Sequence, residues 1–218
     1  MKKILAVVLC GLMVFAALAG CGNGGQSAGN NSYTANNTEF VIGGTGPLTG
    51  DTSSYGISVL NGAQLAVKEI NANGGLNGVN FKLEFKDDKS TAADAATGYD
   101  TLFEGGMQVS IGAVTSGSCD SFNSKAAEDN LFSITPSASA ANVIENRDNA
   151  FRICFGDPDQ GILAAKEFKD RGYEKIGAIY DTSDPYSSGI YEAFKGEMEK
   201  LGKEYSVQTF DAENKKDF

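Results

Sequence analysis

From residue 40 onward, short apolar runs alternate with longer amphipathic stretches, and this alternation limits the possible folds more than any other feature of the chain. Residues 40–44 read as a strand. Residues 57–70 read as a helix with Ile57, Leu60, Ala63, Val67 and Ile70 on one face, ended by Gly74 and Gly75. Residues 81–86 alternate strictly, as a half-exposed strand does. Ser90 is placed to cap a helix running to about residue 104. A strand over 107–111, a short helix over 120–129 and a strand over 131–135 follow. A second round has a strand-like crossing segment at 150–155 and a helix over 158–171, with Pro158 suited to its first turn. It continues with a strand at 175–180, a helix at 186–201 and a strand at 205–210. Such alternation implies an α/β fold with right-handed crossovers and a mostly parallel, doubly wound sheet covered on both faces. Residues 40–155 carry enough elements for a core of their own. Residues 156–218 are few for an independent domain, so a nearly complete first lobe and a truncated second lobe are expected.

In open parallel sheets, ligands bind beyond the carboxyl ends of the strands. Here the first strand leads into a glycine-rich loop, residues 44–56, tipped by Tyr55. Later strands lead into Gly112-Ala-Val-Thr-Ser-Gly-Ser118, Pro136-Ser-Ala-Ser-Ala140 and Asp181-Thr-Ser-Asp-Pro-Tyr186. Ser116 to Ser118 lie just before the expected 120–129 helix, where free N–H groups and positive potential suit a carboxylate. Serine hydroxyls add adjustable donors and acceptors. The same residues also serve as ordinary turn and cap residues, and pattern alone leaves both readings open. Asp157, near the interlobe crossing, reads as the cap of the helix entered at Pro158 rather than as a ligand contact.

Chemistry is constrained by what the chain lacks. It has no histidine, so the commonest general base and the commonest zinc ligand are missing. Gly44-Thr-Gly-Pro-Leu-Thr-Gly50 resembles a dinucleotide loop only loosely. Pro47 interrupts the turn, and no acidic residue follows at the spacing a ribose contact needs. There is no G-x-S-x-G elbow, and no histidine to activate a serine. No catalytic residue, metal site or cofactor is therefore assigned. With 28 acidic against 18 basic residues the net charge is −10, which disfavours nucleic acid and anionic lipid as partners.

The first 20 residues read as a signal peptide: Lys2 and Lys3 precede an apolar stretch over 4–18 that is short for a membrane span. Leu18-Ala-Gly-Cys21 matches a lipobox, in which Cys21 is lipidated and becomes the new N-terminus. Cleavage there would remove two lysines and no acid, taking the charge from −10 to −12. Residues 22–38 are uncharged and read as a flexible tether, with a reach on the order of 20–25 Å. The protein is thus expected outside the cytoplasm, anchored to the cell membrane through Cys21. Of the four cysteines, Cys10 leaves with the signal and Cys21 carries lipid. Cys119 and Cys154 could pair or could remain two small buried residues.

Over nearly all of residues 40–218, the chain resembles the extracytoplasmic binding proteins of ABC importers for branched-chain amino acids. The resemblance rests on an ordered set of motifs. These include Gly46-Pro-Leu-Thr-Gly50 with Tyr55-Gly56, Asn61-Gly-Ala63, Ile70-Asn-Ala-Asn-Gly-Gly75, Asp87-Asp88 and Ile111-Gly112. The set continues with Ile134-Thr-Pro-Ser-Ala-Ser139, Phe151-Arg152, Asp159-Gln-Gly161, Tyr186 and Lys216-Asp-Phe218. The resemblance implies a two-lobed periplasmic-binding-protein type I fold. It further implies capture of a small amino acid or amide-like solute and delivery to an ABC permease by a protein expected to be a monomer. In that family the ligand carboxylate meets backbone N–H groups and a serine at the position of Ser116. The ammonium meets the carbonyl at Ser137 and a hydroxyl at Ser139, where threonine is common. Thr115 and Ala138 match neighbours in these loops, and Tyr55 and Tyr186 match aromatics facing the ligand from the two lobes. A sensory module of the same fold is the alternative, and an enzyme on a doubly wound sheet is a third reading.

Overall fold

The computed structural model describes residues 39–214. The expected signal segment, the lipidated Cys21, the tether and the motif piece at residues 216–218 lie outside the described residues.

Five short runs rich in apolar and small residues form one sheet: β1 (Glu39–Gly46), β2 (Asn80–Asp87), β3 (Val109–Ala113), β4 (Ser133–Thr135) and β5 (Ala150–Arg152). Their order is β2-β1-β3-β4-β5, and every neighbouring pair is parallel. The chain progresses one way from β1 to β2 and the other way from β1 to β3. The loops leaving β1 and β3 therefore diverge at the point where strand order reverses, which is where such sheets open a crevice. The connecting helices are α1 (Ser53–Ala72), α2 (Ala92–Glu104) and α3 (Ser116–Glu128), with a short 3-10 turn at Ala141–Val143.

The core of this layer is built mainly from α2, α3 and the strands between them. Tyr99 stands edge-on to Phe122, with ring centroids 4.9 Å apart, and Leu102, Met107, Leu131 and Val143 complete the cluster. Full burial of each large side chain contributes about 1.5–3 kcal/mol. The Tyr99 hydroxyl reaches the rim of the core and donates to Asp129 at 2.8 Å. Asn123 ties α3 to its neighbours: its amide donates to Val143 O at 2.8 Å and accepts from Ser133 Oγ at 2.8 Å.

The remaining residues form a smaller layer. Strands β6 (Gly177–Asp181) and β7 (Ser206–Phe210) pair in parallel, flanked by α4 (Asp157–Asp170) and α5 (Pro185–Lys200). The helices pack so closely that a Cβ on Gly161 would collide with Ile190 O of α5. Ala165, Phe194 and Met198 form the small core, with Phe168, Ile176 and Tyr205 against it.

Several sequence expectations need correction. The α1 helix begins at Ser53, so Tyr55 lies in its first turn rather than at a loop tip. Gly56 permits this early start, because a Cβ there would run into the Pro47 carbonyl. The apolar face of α1 is only half-buried, and Ile57 and Ile70 are exposed. Thr91, not Ser90, caps α2: its hydroxyl accepts from Asp94 N at 3.0 Å. The α3 helix starts at Ser116, four residues before the expected position. The β6–β7 sheet is not covered on both faces, since α4 and α5 leave Ile179 56 % exposed. Cys119 and Cys154 are free thiols. Cys119 is fully buried, which pushes its thiol up to about 11.

Candidate ligand site at the carboxyl ends of the strands

The site is assembled from the loops that leave β3 and β4. Thr135, the last residue of β4, fixes the second loop. Its hydroxyl donates to Ala113 O at 2.7 Å and accepts from Ala138 N at 3.1 Å, which joins the ends of β3 and β4. The chain then turns so that Ser139 lies against the first residue of α3. Ser116 Oγ accepts from Ser139 N and from Ala140 N, each at 3.2 Å. A hydroxyl accepting two N–H bonds keeps its own proton to donate. That proton sits at a helix N-terminus, where negative charge is favoured. The local chemistry therefore suits a carboxylate.

Arg152, the last residue of β5, holds the same loop from behind. Its Nη1 donates to Ser139 O at 2.7 Å and to Ala140 O at 3.1 Å. Asp157 N also donates to Ser139 O, at 3.0 Å. Ser139 is thus a junction: its N–H is on Ser116, and its carbonyl is on Arg152 and Asp157.

The structure brings Ser116, Ala138 and Ser139 together in a buried cluster, with Thr115 and Ser137 half-buried on the same loops. Thr115 precedes α3, yet its hydroxyl makes no cap bond. Its Oγ1 is one of two buried side-chain oxygens without a partner among the described residues. Tyr55 is 62 % exposed at the start of α1 and stands apart from the serine cluster's hydrogen bonds. Tyr186, in the first turn of α5, is 43 % exposed. Its neighbour Pro185 lies beside Gly117, so the N-termini of α3 and α5 meet, as a Cβ on Gly117 would be 3.9 Å from Pro185 Cδ.

Asp157 departs from the expected role. The cap position of α4 is Gly156, and no side chain caps this helix. The Asp157 carboxylate is fully buried. Its Oδ1 accepts from Gln160 Nε2 at 3.2 Å, while Oδ2 is the second buried oxygen without a partner. Burial pushes this carboxyl above the ordinary range, more than nearby Ser139 and Arg152 pull it down.

A groove of about 380 Å³ lies elsewhere, between Ala164, Phe168, Ile190, Phe194 and the edge of β6, and of the expected site residues only Tyr186 lines it. Its lining is the uncovered core of the smaller layer, not a set of converging polar groups, so the serine loops are the better candidate. Among the described residues no group of three or more metal-binding side chains is clustered, and no helix is long and apolar enough to cross a membrane.

The likeness to known proteins is specific. A family model described as periplasmic binding protein matches residues 39–218. The Leu/Ile/Val-binding protein BraC3 of Rhizobium johnstonii is 33% identical over 165 residues, covering 75% of this chain and 45% of that protein. Among solved structures, the branched-chain amino acid transporter substrate binding protein LivJ of Streptococcus pneumoniae, in complex with isoleucine, superposes with a TM-score of 0.73. It has 28% sequence identity and covers 80% of this chain and 50% of that one. The leucine binding protein LivK of Thermotoga maritima gives a TM-score of 0.74 at 24% identity, covering 81% and 50%. The chain spans about half the length of the curated relatives it matches.

Proposed function

Because this chain belongs to the periplasmic binding protein family and has its type I α/β fold, we propose that it captures a small amino acid or amide-like solute for an ABC importer. The observation that carries this reading is the Ser116–Ser139 junction. A hydroxyl whose acceptor sites are filled, and whose own proton is left to donate, stands at a helix N-terminus on the loop that leaves β3 beside the strand-order reversal. Ser116 takes the ligand carboxylate. The Ser137 carbonyl and the Ser139 hydroxyl take the ammonium, while Thr115 and Ala138 line the same loops. Tyr55 approaches from the first lobe, residues 40–155, and Tyr186 from the second, residues 156–218. Closure of the lobes buries the solute, and the permease reads the closed form. The protein works outside the cytoplasm as a monomer, tethered to the membrane by lipid on Cys21.

Calorimetric titration with a panel of amino acids, amides and short-chain organic acids tests the reading. Ser116→Ala should weaken the best binder by about one to two decades, the loss of a charge-assisted hydrogen bond. Ser53→Ala, at the start of α1, should change little. Wild-type affinity in the Ser116→Ala variant would return Ser116 to a purely structural role.

A further inference from the structure

We infer that Arg152 is a positioning residue for solute capture: its guanidinium, packed against Gly156, fixes the Ser139 carbonyl as the point on which the smaller layer closes. This rests on the solute-binding reading above and adds the residue that ties the ligand loop to the crossing between the layers.

The crossing, residues 152–157, is laced to the loop that leaves β4. Ile153 N donates to Thr135 O at 3.2 Å, and Cys154 Sγ donates to Ala138 O at 3.5 Å. Ser139 O accepts from Arg152 Nη1 at 2.7 Å and from Asp157 N at 3.0 Å. Apolar packing adds little here, because Ile153 and Phe155 are exposed. Polar contacts therefore set the path of the crossing.

The two donors on Ser139 O belong to different layers. Arg152 ends β5 and moves with the larger layer, while Asp157 opens α4 and moves with the smaller one. A swing of the smaller layer about residues 153–156 must stretch the Asp157 bond, and the Arg152 bond holds the acceptor still. The same peptide unit also serves the ligand side. A trans peptide points its C=O and N–H in opposite directions. The Ser139–Ala140 unit has its oxygen on Arg152 and Asp157 and its N–H on Ser116 Oγ. One rigid plate thus joins the ligand serine to the crossing. Arg152 bonds backbone carbonyls, and its planar fork spans those of Ser139 and Ala140 together.

Gly156 supports the same assignment. Its backbone, φ −97° and ψ 150°, is open to any residue. A Cβ there, however, would stand 2.5 Å from Arg152 Nη2 and 3.2 Å from its Cζ. The guanidinium, not the backbone, requires glycine at this position.

The test uses the full chain. Arg152→Ala removes the guanidinium. Gly156→Ala displaces it at small cost, since the obstructing atom is the free end of a long side chain. The first readout needs no solute: deuterium exchange at the Asp157 amide, followed by NMR. Both variants should exchange there at least about tenfold faster than wild type, the loss of one charge-assisted contact, while β3 amides keep their rates. Adding Gly156→Ala to Arg152→Ala should change nothing further, because the group it displaces is gone. The second readout is calorimetric titration with L-leucine, which each single variant should bind about tenfold more weakly. Wild-type exchange at Asp157 in both single variants overturns the assignment, as does equal acceleration at β3, the mark of a general prop. Faster exchange with unchanged L-leucine affinity overturns the role in capture. Additive effects of the two substitutions overturn the pairing with Gly156. If wild type binds no member of the solute panel, the solute-binding reading falls and the capture role with it, while the exchange readout still decides whether Arg152 governs the crossing.

Discussion

At the scale of single residues, Asp157 is a buried carboxyl that costs the folded chain stability. Its carboxyl is held above the ordinary range first by burial, with Asp184 adding to the effect and Ser139, Arg152 and Gln160 opposing it. The folded chain therefore holds a proton that the unfolded chain releases, and stability falls as pH rises from the ordinary carboxylate value to the raised one. Above that window the penalty is fully present. Asp157→Asn should raise the stability of the unliganded protein near pH 7 by about 1–3 kcal/mol, the cost of an unsatisfied buried group. The gap between variant and wild type should close in acid. Thermal melts of both across that pH range check this. A variant less stable than wild type at neutral pH would mean that the carboxylate has a partner the geometry does not show.

At the scale of elements, Asp87 at the end of β2 holds the first half of the loop between β1 and α1, and Ser90 meets Thr52 at its other end. Asp87 Oδ1 accepts from Leu48 N at 2.8 Å and Lys89 N at 3.0 Å, and Oδ2 accepts from Thr49 Oγ1 at 2.6 Å. Partial burial pushes this carboxyl up, but the bonds from Thr49, Leu48 and Lys89 outweigh it and hold it below the usual range. This contribution is present above the ordinary carboxylate value and is lost as pH falls through the lowered one. Asp87→Ala should cost about 1–2 kcal/mol and speed proteolysis at residues 47–52, while leaving the Ser116 cluster in place. Unchanged cleavage there would show that Gly56 and Pro47 hold the loop without it.

The same scale shows how much was legible in the sequence. The alternation of strands and helices was, because the apolar periodicity of each element reports its burial. Two helix starts were not. Ser53-Ser54-Tyr55 and Ser116-Gly117-Ser118 read as loop because serine and glycine are weak helix formers, and tertiary contacts set those first turns instead. The meeting of Ser116 with Ser139 joins residues 23 apart, a distance no local pattern encodes. Gly156-Asp157-Pro158 carries every sign of a helix cap, so an aspartate facing inward could be found only from the hydrogen bonds it fails to make.

At the scale of the whole molecule, the two layers are unequally built. The larger has a contiguous core running from Tyr99 to Val143, while the smaller rests on Ala165, Phe194, Met198 and a few half-buried neighbours. Among the described residues this sheet has two strands, and Ile179 and Val207 are exposed on them. Bare apolar residues invite contact with other chains. On the larger layer the stacked rings of Phe132 and Phe151, 5.3 Å apart, add a second exposed apolar spot at the β4–β5 end of the sheet. The small core has a further consequence for how amide hydrogens trade with deuterium. Regions with few buried contacts open at lower free energy and form their own cooperative units. Amides of Gly177–Asp181 and Ser206–Phe210 should therefore exchange well before those of β1 and β3, at a rate set by opening of the smaller layer alone. Mass spectrometry of peptides from the two layers should give two separate exchange regimes. A single shared regime would mean that the layers, despite their unequal cores, unfold as one.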